Sequence, residues 1–307
     1  MTLLQLKYIV KIVECGSMNE ASHELYISQP ALSSSVKELE NELGIEIFTR
    51  SSQGITLTVD GAEFMSYARQ VLDQAALLED RYKSSRPRKQ LCSVSTQHYM
   101  FAVEAFVEMI GSTHSDEYEF TIRETRTQDI ISQVASMLSE IGIIYLSDFN
   151  KDVLGKLLRE KHLEFHPLFR AGLHVFISRD NPLAGRRQVT MDDLRPYPFI
   201  KYEQGEKGSF YFAEEAVWPE YSPKQITVTD RATILNFIIG LNGYTVCTGI
   251  DNGDLNNEKI VTVPLQSDET MLVGWISHER SRLSSSAQMY VEKLREVLTA
   301  HGYDLID

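Results

Sequence analysis

The sequence predicts an α/β protein with an all-α N-terminal region, and three observations support that prediction. Apolar residues recur at helical spacing through most of the first 83 residues. From Leu91 onward, short apolar strands alternate with helical segments, the order that is typical of parallel sheets. The charged segment SSRPRK at 84–89 separates the two regions and interrupts the helical pattern. We therefore expect an N-terminal helical domain, a hinge and a larger α/β domain.

The composition is that of an ordinary globular protein, and the charge is unevenly distributed. The 307 residues are 43% hydrophobic and 24% charged, with a net charge of −13, which argues against a general nucleic-acid coat protein. Residues 1–89 hold 10 Lys or Arg and 12 Asp or Glu, a balance of −2, so the remaining residues carry −11. The nearly neutral N-terminal part can still bind DNA, with modest non-specific affinity, if its cations lie on one face.

The cysteines and the hydropathy indicate a reducing compartment. Cys15, Cys92 and Cys247 are far apart among apolar neighbours, which predicts buried thiols and leaves a redox role of Cys92 or Cys247 open. Lys7 and Lys11 interrupt the apolar residues at the start, unlike a secretory signal. No window approaches 18 apolar residues, so we expect a cytoplasmic protein without a membrane span.

Two short helices joined by a tight turn are predicted between residues 17 and 44. Ser28 is a good N-cap for the second helix, Pro30 is tolerated in its first turn, and Gly44 ends it. This is the geometry of a helix-turn-helix, whose second helix enters the DNA major groove. An αα-hairpin inside a protein core has a similar pattern and is the alternative. The apolar faces consist of Ala21 and Leu25, then Leu32, Val36, Leu39 and Leu43.

The flanking segments complete a winged helix-turn-helix domain over residues 1–58. A first helix from Leu3 to Val13 covers the back of the helix pair, and residues 45–57 predict a two-stranded wing that turns at Gln53 and Gly54. Arg50, at the edge of the wing, is well placed for a phosphate or the minor groove, although it could be an ordinary surface arginine.

Residues 59–89 are predicted to form a linker helix and a hinge. Thr58 caps the helix, and apolar residues from Ala62 to Leu78 form one stripe of roughly 35 Å. Nothing in the preceding 57 residues is large enough to bury such a stripe. A second copy of the same helix would bury it, while the alternative is a surface helix packed on its own domain.

Residues 90–307 predict two similar α/β lobes, the architecture of periplasmic solute-binding proteins. Strand, helix, strand, helix and strand follow each other from Leu91 to Leu146, which indicates a parallel sheet with right-handed crossovers. We expect lobe I to comprise 90–162 and 268–307, and lobe II to comprise 163–267. Further helices are predicted at 150–161, 209–217, 230–241 and 285–299, and further strands at 165–178, 198–202, 224–228, 244–248 and 271–277.

Ligands of such sheets bind at the carboxyl ends of the strands, in the cleft between lobes. The candidate residues there share hydroxyl, amide or cationic groups, and no carboxylate stands among them. That set suits a small anion or carboxylate, contacted by Thr96 and Lys201 from opposite lobes, although each residue could be an ordinary helix cap. The predicted effector-binding residues are Ser95, Thr96, Gln97, Thr125, Ser147, Lys201, Tyr202 and Thr248.

Patterns of enzymatic catalysis are missing from the sequence. It has no glycine-rich phosphate loop and no G-x-S-x-G motif. His162 and His166 are four residues apart but fall across a predicted helix end and a strand, so a metal site is not expected there. We expect neither an enzyme nor a cofactor.

The order of motifs in the N-terminal region resembles LysR-type transcriptional regulators. The motifs are SQPALS from Ser28, V-x-x-L-E-x-x-L-G from Val36, I-x-I-F-x-R from Ile45 and L-T-x-x-G from Leu57. The resemblance is specific over residues 3–62 and continues in looser form, with NPLA at 181–184 as a landmark. Two departures from the usual pattern of the family reduce the positive charge near DNA. Ser34 stands where a basic residue is usual, and Asp60 stands where an alanine is common.

The resemblance implies a sequence-specific transcriptional regulator that a small-molecule effector controls. It implies a coiled-coil dimer through the linker helix, a homodimer or a tetramer, and an operator of double-stranded DNA with paired half-sites; RNA polymerase is a further candidate partner, and a membrane is not. The alternative is a solute-binding or enzymatic α/β protein with an appended helical interaction domain. The implied DNA-binding residues are Gln29, Pro30, Ser33, Ser34, Lys37 and Arg50.

Overall fold

The computed structural model describes residues 1–51, 54–83, 89–115, 117–205, 210–219, 222–250 and 259–306. The chain forms two compact units, an N-terminal unit of Met1–Arg88 and a C-terminal unit of Lys89–Asp307. None of the helices in these described ranges is long and apolar enough to cross a bilayer.

The N-terminal unit is a winged helix-turn-helix, as predicted. Its core contains one apolar face from each of the first three helices together with Ile47, Phe48 and Met65. The two strands of the wing pair antiparallel. In chain order the elements are α1 Leu3–Cys15, α2 Met18–Glu24, α3 Gln29–Leu43, β1 Phe48–Ser51, β2 Gly54–Leu57 and α4 Val59–Lys83.

Local hydrogen bonds explain why the motif residues occur where they do. The Ser28 hydroxyl accepts a bond from the Ala31 amide, and Gly44 ends α3 with a left-handed φ of 69°. The Glu40 carboxylate accepts bonds from the amides of Ile47 and Phe48, at 2.7 and 3.2 Å, and so fixes the wing to α3. These contacts set the direction in which α3 presents its outer face.

Gly61, in the L-T-x-x-G motif, allows a close approach of two backbone segments. A Cβ atom at this position would lie 2.0 Å from the Ile47 carbonyl oxygen. The Thr58 hydroxyl accepts a bond from the Gly61 amide, at 2.8 Å, and caps α4 as expected. Any larger residue at position 61 would push α4 away from the wing.

Helix α4 is buried only over its first turns. Met65 and Ala68 pack in or against the core of the N-terminal unit. Val71, Leu77 and Leu78 are 43%, 65% and 61% exposed in the single chain. The distal part of the predicted stripe is therefore an uncovered apolar surface within the isolated chain.

The C-terminal unit contains two sheets and the helices that cover them. Its first elements are β3 Gln90–Thr96, α5 Met100–Gly111, β4 Tyr118–Glu124, α6 Thr127–Ala135, β5 Ile141–Leu146, α7 Lys151–Glu160, β6 Leu163–Gly172 and β7 His174–Ser178. The remaining elements are α8 Met191–Leu194, β8 Phe199–Tyr202, β9 Gln225–Val228, α9 Arg231–Leu241, β10 Thr245–Cys247, β11 Ile260–Pro264, β12 Thr270–His278 and α10 Ser285–Ala300.

Two lobes follow from the strand pairing. In lobe I the strand order is β4-β3-β5-β12-β6, with β3, β4 and β5 parallel and β12 antiparallel to both of its neighbours. In lobe II, β10-β7-β11 form one sheet and β8-β9 a parallel pair. The Ile200 amide donates to the Tyr244 carbonyl at 2.8 Å, which joins the pair to the larger sheet. The predicted two-lobed α/β architecture is confirmed.

The structure differs from the sequence-based expectation at three places. The chain leaves lobe I after Gly172 rather than near 162, because β6 pairs with β12 along its whole length. Strand β11 and the short helix α8 were not predicted. The predicted helix at 209–217 is wrong for the described residues, which form one 3₁₀ turn at Phe210–Phe212 and then an irregular segment.

The physical reason for the missing helix is that its backbone bonds are made elsewhere. The Phe212 carbonyl accepts a bond from the Thr127 hydroxyl, and the Ala213 carbonyl accepts one from the Tyr145 hydroxyl, both at 2.9 Å. Phe210 stacks on Trp218 with 5.2 Å between the ring centroids. We call residues 210–219 the crossing segment, because this part of lobe II lies against residues of lobe I.

Candidate functional site

Helix α3 presents a polar face outside the core of the N-terminal unit. Leu32, Val36 and Leu39 are buried on its inner side. Of the predicted DNA-binding residues, Pro30, Ser34 and Lys37 are exposed, and Gln29 and Ser33 are half-buried. The side chain of Arg50 lies outside the described part of the structure. Small polar groups and one cation therefore lie on the side of α3 that faces away from the core.

Tyr26 is a residue of this region that the sequence analysis missed. It lies in the turn between α2 and α3, has a φ of 55° and is 95% exposed. The turn requires one left-handed residue, and a tyrosine there is uncommon because its Cβ is strained in that conformation. The result is a hydroxyl-bearing ring held beside the start of α3.

The inner part of the cleft between the lobes is almost filled by the protein itself. The cavity there measures about 50 Å³, far below the ~300–1,000 Å³ of typical ligand sites. Residues of both lobes line it, among them His98, Tyr202, Glu214, Arg231 and Thr248. No drug-sized or metabolite-sized molecule fits in this cavity in the present conformation.

His98 and Glu214 form a buried ion pair across the cleft. His98 follows β3 in lobe I, and its backbone amide donates to a Glu214 oxygen at 3.0 Å, while its Nδ1 lies 2.9 Å from the same oxygen. The two side chains are only 5% and 7% exposed. The His98 ring also stacks on Tyr202 of lobe II, with a centroid distance of 3.8 Å.

The environment favours the protonated form of His98. Burial lowers the pKa of His98, but the hydrogen bond to Glu214 and the charge of that carboxylate together raise it further than burial lowers it. The net shift is upward from the ordinary value. The His98 ring therefore stays protonated to a higher pH than an exposed histidine would.

Glu215 is fully buried next to this pair. Burial, and then the charge of Glu214, raise the pKa of Glu215 to about 8. One of its oxygens accepts a bond from the Tyr202 amide at 2.9 Å. At neutral pH the Glu215 carboxyl group consequently carries a proton.

Two further ion pairs join the lobes nearer the solvent. Arg231 of lobe II lies 3.2 Å from Glu124 of lobe I, and Arg126 of lobe I pairs with Glu203 of lobe II. Burial raises the pKa of Glu124, although the charge of Arg231 opposes that shift. A polar cavity of about 290 Å³ at this rim is lined by Thr125, Tyr202 and their neighbours.

The predicted effector-binding residues occupy different environments. Ser95, Thr96 and Gln97 are fully buried, and their side chains bond within lobe I: Ser95 to Gln133 and Ser139, Thr96 to the Gln97 carbonyl, and Gln97 to Thr127. Ser147 is buried too. None of these four residues lines the interlobe cavity of about 50 Å³ or the rim cavity of about 290 Å³.

The other four predicted effector-binding residues line cavities. Tyr202 and Thr248 line the small interlobe cavity, and Thr125 lines the polar rim. Lys201 lines a separate cavity of about 520 Å³ on the lobe II side, together with Glu215. Thr96 and Lys201 therefore do not meet in any of these three cavities.

The predicted effector-binding residues include no carboxylate, but the structure adds four carboxylates to the cleft. Glu214 and Glu215 reach it from the crossing segment, and Glu124 and Glu203 stand at its rim. The sequence did contain one signal for this burial, since the adjacent acidic pair lies within the apolar stretch FYFAEEAVW.

The residues considered for metal or redox chemistry have other partners. His162 lies 2.7 Å from Glu279, and His166 stacks on Trp275, so the two histidines do not share a site. Within the described ranges, no group of three potential ligands could hold a metal ion. Cys92 is buried, which raises the pKa of its thiol to about 12, and Cys15 and Cys247 are half-buried.

Comparisons with known proteins agree with this architecture. Residues 3–62 match the bacterial regulatory helix-turn-helix protein of the lysR family, and residues 113–299 match the LysR substrate binding domain. The chain is 26% identical over 267 residues to the HTH-type transcriptional regulator CysB of Haemophilus influenzae, covering 82% of this chain and 78% of that one. It is 21% identical to the Hca operon transcriptional activator HcaR of Escherichia coli, covering 98% and 99%.

Solved structures show the same fold. A cysteine mutant of Corynebacterium glutamicum OxyR superposes with a TM-score of 0.51 at 18% identity, covering 97% of this chain and 93% of that one. A mutant of full-length BenM gives 0.50 at 18% identity, covering 100% and 99%. Because the substrate-binding match alone spans more than half of the residues, this chain belongs to the LysR family of transcriptional regulators, with a helix-turn-helix DNA-binding domain and an effector-binding domain.

Proposed function

We propose that this protein is a homo-oligomeric regulator that binds a specific operator through α3 and responds to a small carboxylate-bearing effector between its lobes. The observation that supports the DNA-binding part is the exposed polar face of α3, opposite the buried residues Leu32, Val36 and Leu39. The observation that supports the effector part is that His98 of lobe I, which is buried in the cleft, already binds the carboxylate of Glu214.

In the proposed complex, α3 reads the major groove. The Gln29 amide can pair with an adenine by two hydrogen bonds, and Pro30 can pack on a thymine methyl group. Ser33, Ser34 and Lys37 supply contacts to bases and phosphates, with Arg50 of the wing on the backbone or in the minor groove. The exposed ring of Tyr26 is an additional candidate for a phosphate contact.

The oligomer is proposed to form through α4. Its uncovered residues Val71, Leu77 and Leu78 would be buried by the same helix of a second copy. A two-fold dimer, or a tetramer built as a dimer of dimers, matches an operator with paired half-sites. RNA polymerase is the further partner proposed for such a regulator at a promoter.

Effector binding is proposed to change the arrangement of the lobes and thereby the geometry of the oligomer. A ligand shifts such an equilibrium only by its difference in affinity for the two states. Coupling of about 1–3 kcal/mol between effector and operator is typical of allosteric proteins.

Operator selection tests the DNA-binding part. Genomic fragments are enriched with the purified full chain, and fluorescence anisotropy then compares the enriched sequence with a scrambled duplex at about 150 mM salt. We expect the enriched sequence to bind at least ~10³-fold more tightly, as specific sites usually do. Equal affinities would refute the proposal, and together with retained small-molecule binding they would favour the alternative solute-binding function.

A further inference from the structure

We infer that the position between His98 and the start of α5 is a carboxylate-binding site that the chain's own Glu214 occupies as an internal ligand, which an effector carboxylate must displace. The inference rests on the proposed function at one point only, namely that the ligand that displaces Glu214 is the effector. Four observations about the cleft support it.

The first observation is that the His98 amide and ring both bind the Glu214 carboxylate. One carboxylate oxygen accepts the His98 backbone N–H at 3.0 Å, and the same carboxylate lies 2.9–3.0 Å from His98 Nδ1. The amide belongs to the turn that leads into α5, a helix of 12 residues with no acidic side chain in its first turn. A backbone N–H, a cationic imidazole and a nearby helix start are the groups with which proteins bind a free carboxylate.

The second observation is that Glu214 belongs to the opposite lobe. It lies in the crossing segment, which the chain reaches from β8 and leaves toward β9 in lobe II. The segment contacts lobe I through Tyr211, whose ring stacks on Phe149 at 4.8 Å, and through the two backbone carbonyls already described. The Glu214 carboxylate therefore connects two bodies as a ligand between them would.

The third observation is the absence of space. The interlobe cavity that Glu214 lines measures about 50 Å³ and leaves no room for an effector at the Glu214 position, and Glu214 does not line the cavity of about 290 Å³ at the rim. A molecule that binds at the Glu214 position must move Glu214 or Tyr202. Of these two side chains, Glu214 is the one whose hydrogen-bond partners could also bind the carboxylate of an effector.

The fourth observation concerns charge. Replacing Glu214 with a ligand carboxylate keeps one negative charge beside His98, which continues to favour the protonated ring. Ejection of Glu214 without a replacement would force the buried ring either to lose its proton or to stay charged without a partner, and both are unfavourable. The site thus accepts anions and disfavours neutral molecules of the same shape.

The consequence is a direct link between effector binding and lobe contacts. When the ligand takes the place of Glu214, the crossing segment loses its ion pair with lobe I, and the ligand supplies its own contacts instead. The apparent affinity for the effector is reduced by the fraction of molecules in which Glu214 is bound, because that fraction is not competent to bind.

Propionate tests this inference, because it reproduces the glutamate side chain from Cβ to the carboxylate. The full chain is titrated by calorimetry and by thermal melting with propionate, with propionamide as the neutral control. We expect Glu214→Ala to bind propionate at least about tenfold more tightly than the wild type and to bind propionamide weakly. Adding His98→Ala to Glu214→Ala should abolish the gain.

Glu104→Ala is the matched control, since Glu104 also pairs with a histidine, His301 at 3.0 Å, but both residues belong to lobe I. It should leave propionate binding at the wild-type level. The inference is overturned if Glu214→Ala gains no propionate affinity over the wild type, or if Glu104→Ala gains as much.

Glu214→Gln keeps the experiment decisive if Glu214→Ala does not fold. It preserves the size of the side chain but removes its charge, so propionate should compete with it more effectively than with the wild-type glutamate. Equal propionate affinities of Glu214→Gln and wild type would overturn the inference. Operator binding by the wild-type chain is measured separately, so a failure of the proposed function is distinguished from a failure of this site.

Discussion

The polar face of α3 and the polar groups of the interlobe cleft differ in how they are held. On α3 the exposed residues Pro30, Ser34 and Lys37 lie within one helix, whose inner face is apolar. In the cleft, His98 and Glu214 come from segments more than 100 residues apart and bond to each other. The first surface is open to an external partner, whereas the second is closed by an internal one.

This difference separates two kinds of site. A groove-reading helix needs only a stable core behind it, so its function can be changed residue by residue. In a cleft between lobes, contacts within the chain compete with contacts to a ligand. A substitution there therefore shifts the equilibrium between arrangements of the two lobes. The substitutions below are designed to separate these two kinds of behaviour.

We expect the largest effect from Leu72→Asp in α4. If this stripe is buried between two copies, the carboxylate is desolvated at a cost of several kcal/mol. Dimerisation and operator binding should both fall by about 100-fold or more. Light scattering and anisotropy measure these losses, and Gln70→Asp, on the opposite side of the helix, is the matched control. A wild-type chain that is monomeric at micromolar concentration would contradict this prediction.

Leu32→Ala should have the next largest effect because it removes a fully buried side chain from the inner face of α3. Large-to-small substitutions in a core cost about 2–5 kcal/mol. Thermal unfolding should show a destabilised N-terminal unit, with melting of the C-terminal unit unchanged. The nearby exposed substitution Ser34→Ala should change stability by less than about 0.5 kcal/mol. Equal stability losses for the two variants would mean that α3 is not oriented as described.

Gln29→Ala and Lys37→Ala should separate base readout from phosphate binding on the same helix. Loss of a two-bond contact to adenine should reduce discrimination between operator and random DNA by about 1–3 kcal/mol. Lys37→Ala should instead weaken binding to both DNAs and lower the salt slope by about one. The measurement is anisotropy at several salt concentrations. An unchanged ratio of affinities for Gln29→Ala would show that Gln29 does not contact a base.

Glu215→Gln should have little effect on stability near pH 4.5 and should mainly change the pH dependence of stability. The folded-state pKa of about 8 lies above the ordinary 4.5, so the folded protein binds more protons than the unfolded chain between these values. Stability is therefore fully present below about pH 4.5 and is lost as pH rises toward 8, by at most about 1.4 kcal/mol per pH unit. The variant should show a flatter curve in urea unfolding between pH 5 and 8. A slope identical to that of the wild type would show that Glu215 is not held in its neutral form.

The sequence predicted the elements whose order depends on local patterns. The helix-turn-helix, the wing and the strand–helix alternation of lobe I follow from caps, turns and periodicity within about 20 residues of each element. The residues of α3 could be assigned to an inner or an outer face for the same reason.

The cleft could not be predicted to the same extent, because its hydrogen bonds join distant segments. Ser95, Thr96 and Gln97 lie at the end of a strand as predicted, yet their side chains bond within lobe I: Ser95 to Gln133 and Ser139, Thr96 to the Gln97 carbonyl, and Gln97 to Thr127. Because residues 209–217 were predicted to form a helix, Glu214 and Glu215 were not predicted to be cleft residues. No local pattern shows that the backbone there bonds to Thr127 and Tyr145.

By itself, the sequence determined the family, the two-part architecture and the face of α3 that lies outside the core. Short-range patterns are sufficient for these features because capping and amphipathic burial act between residues that are close in the chain. Only the tertiary structure decided that β6 belongs to lobe I, that the crossing segment lies against that lobe, and that a glutamate of this chain fills the cleft. Those features depend on which distant groups satisfy each other's hydrogen bonds and charges, and that is settled only when the whole chain has packed.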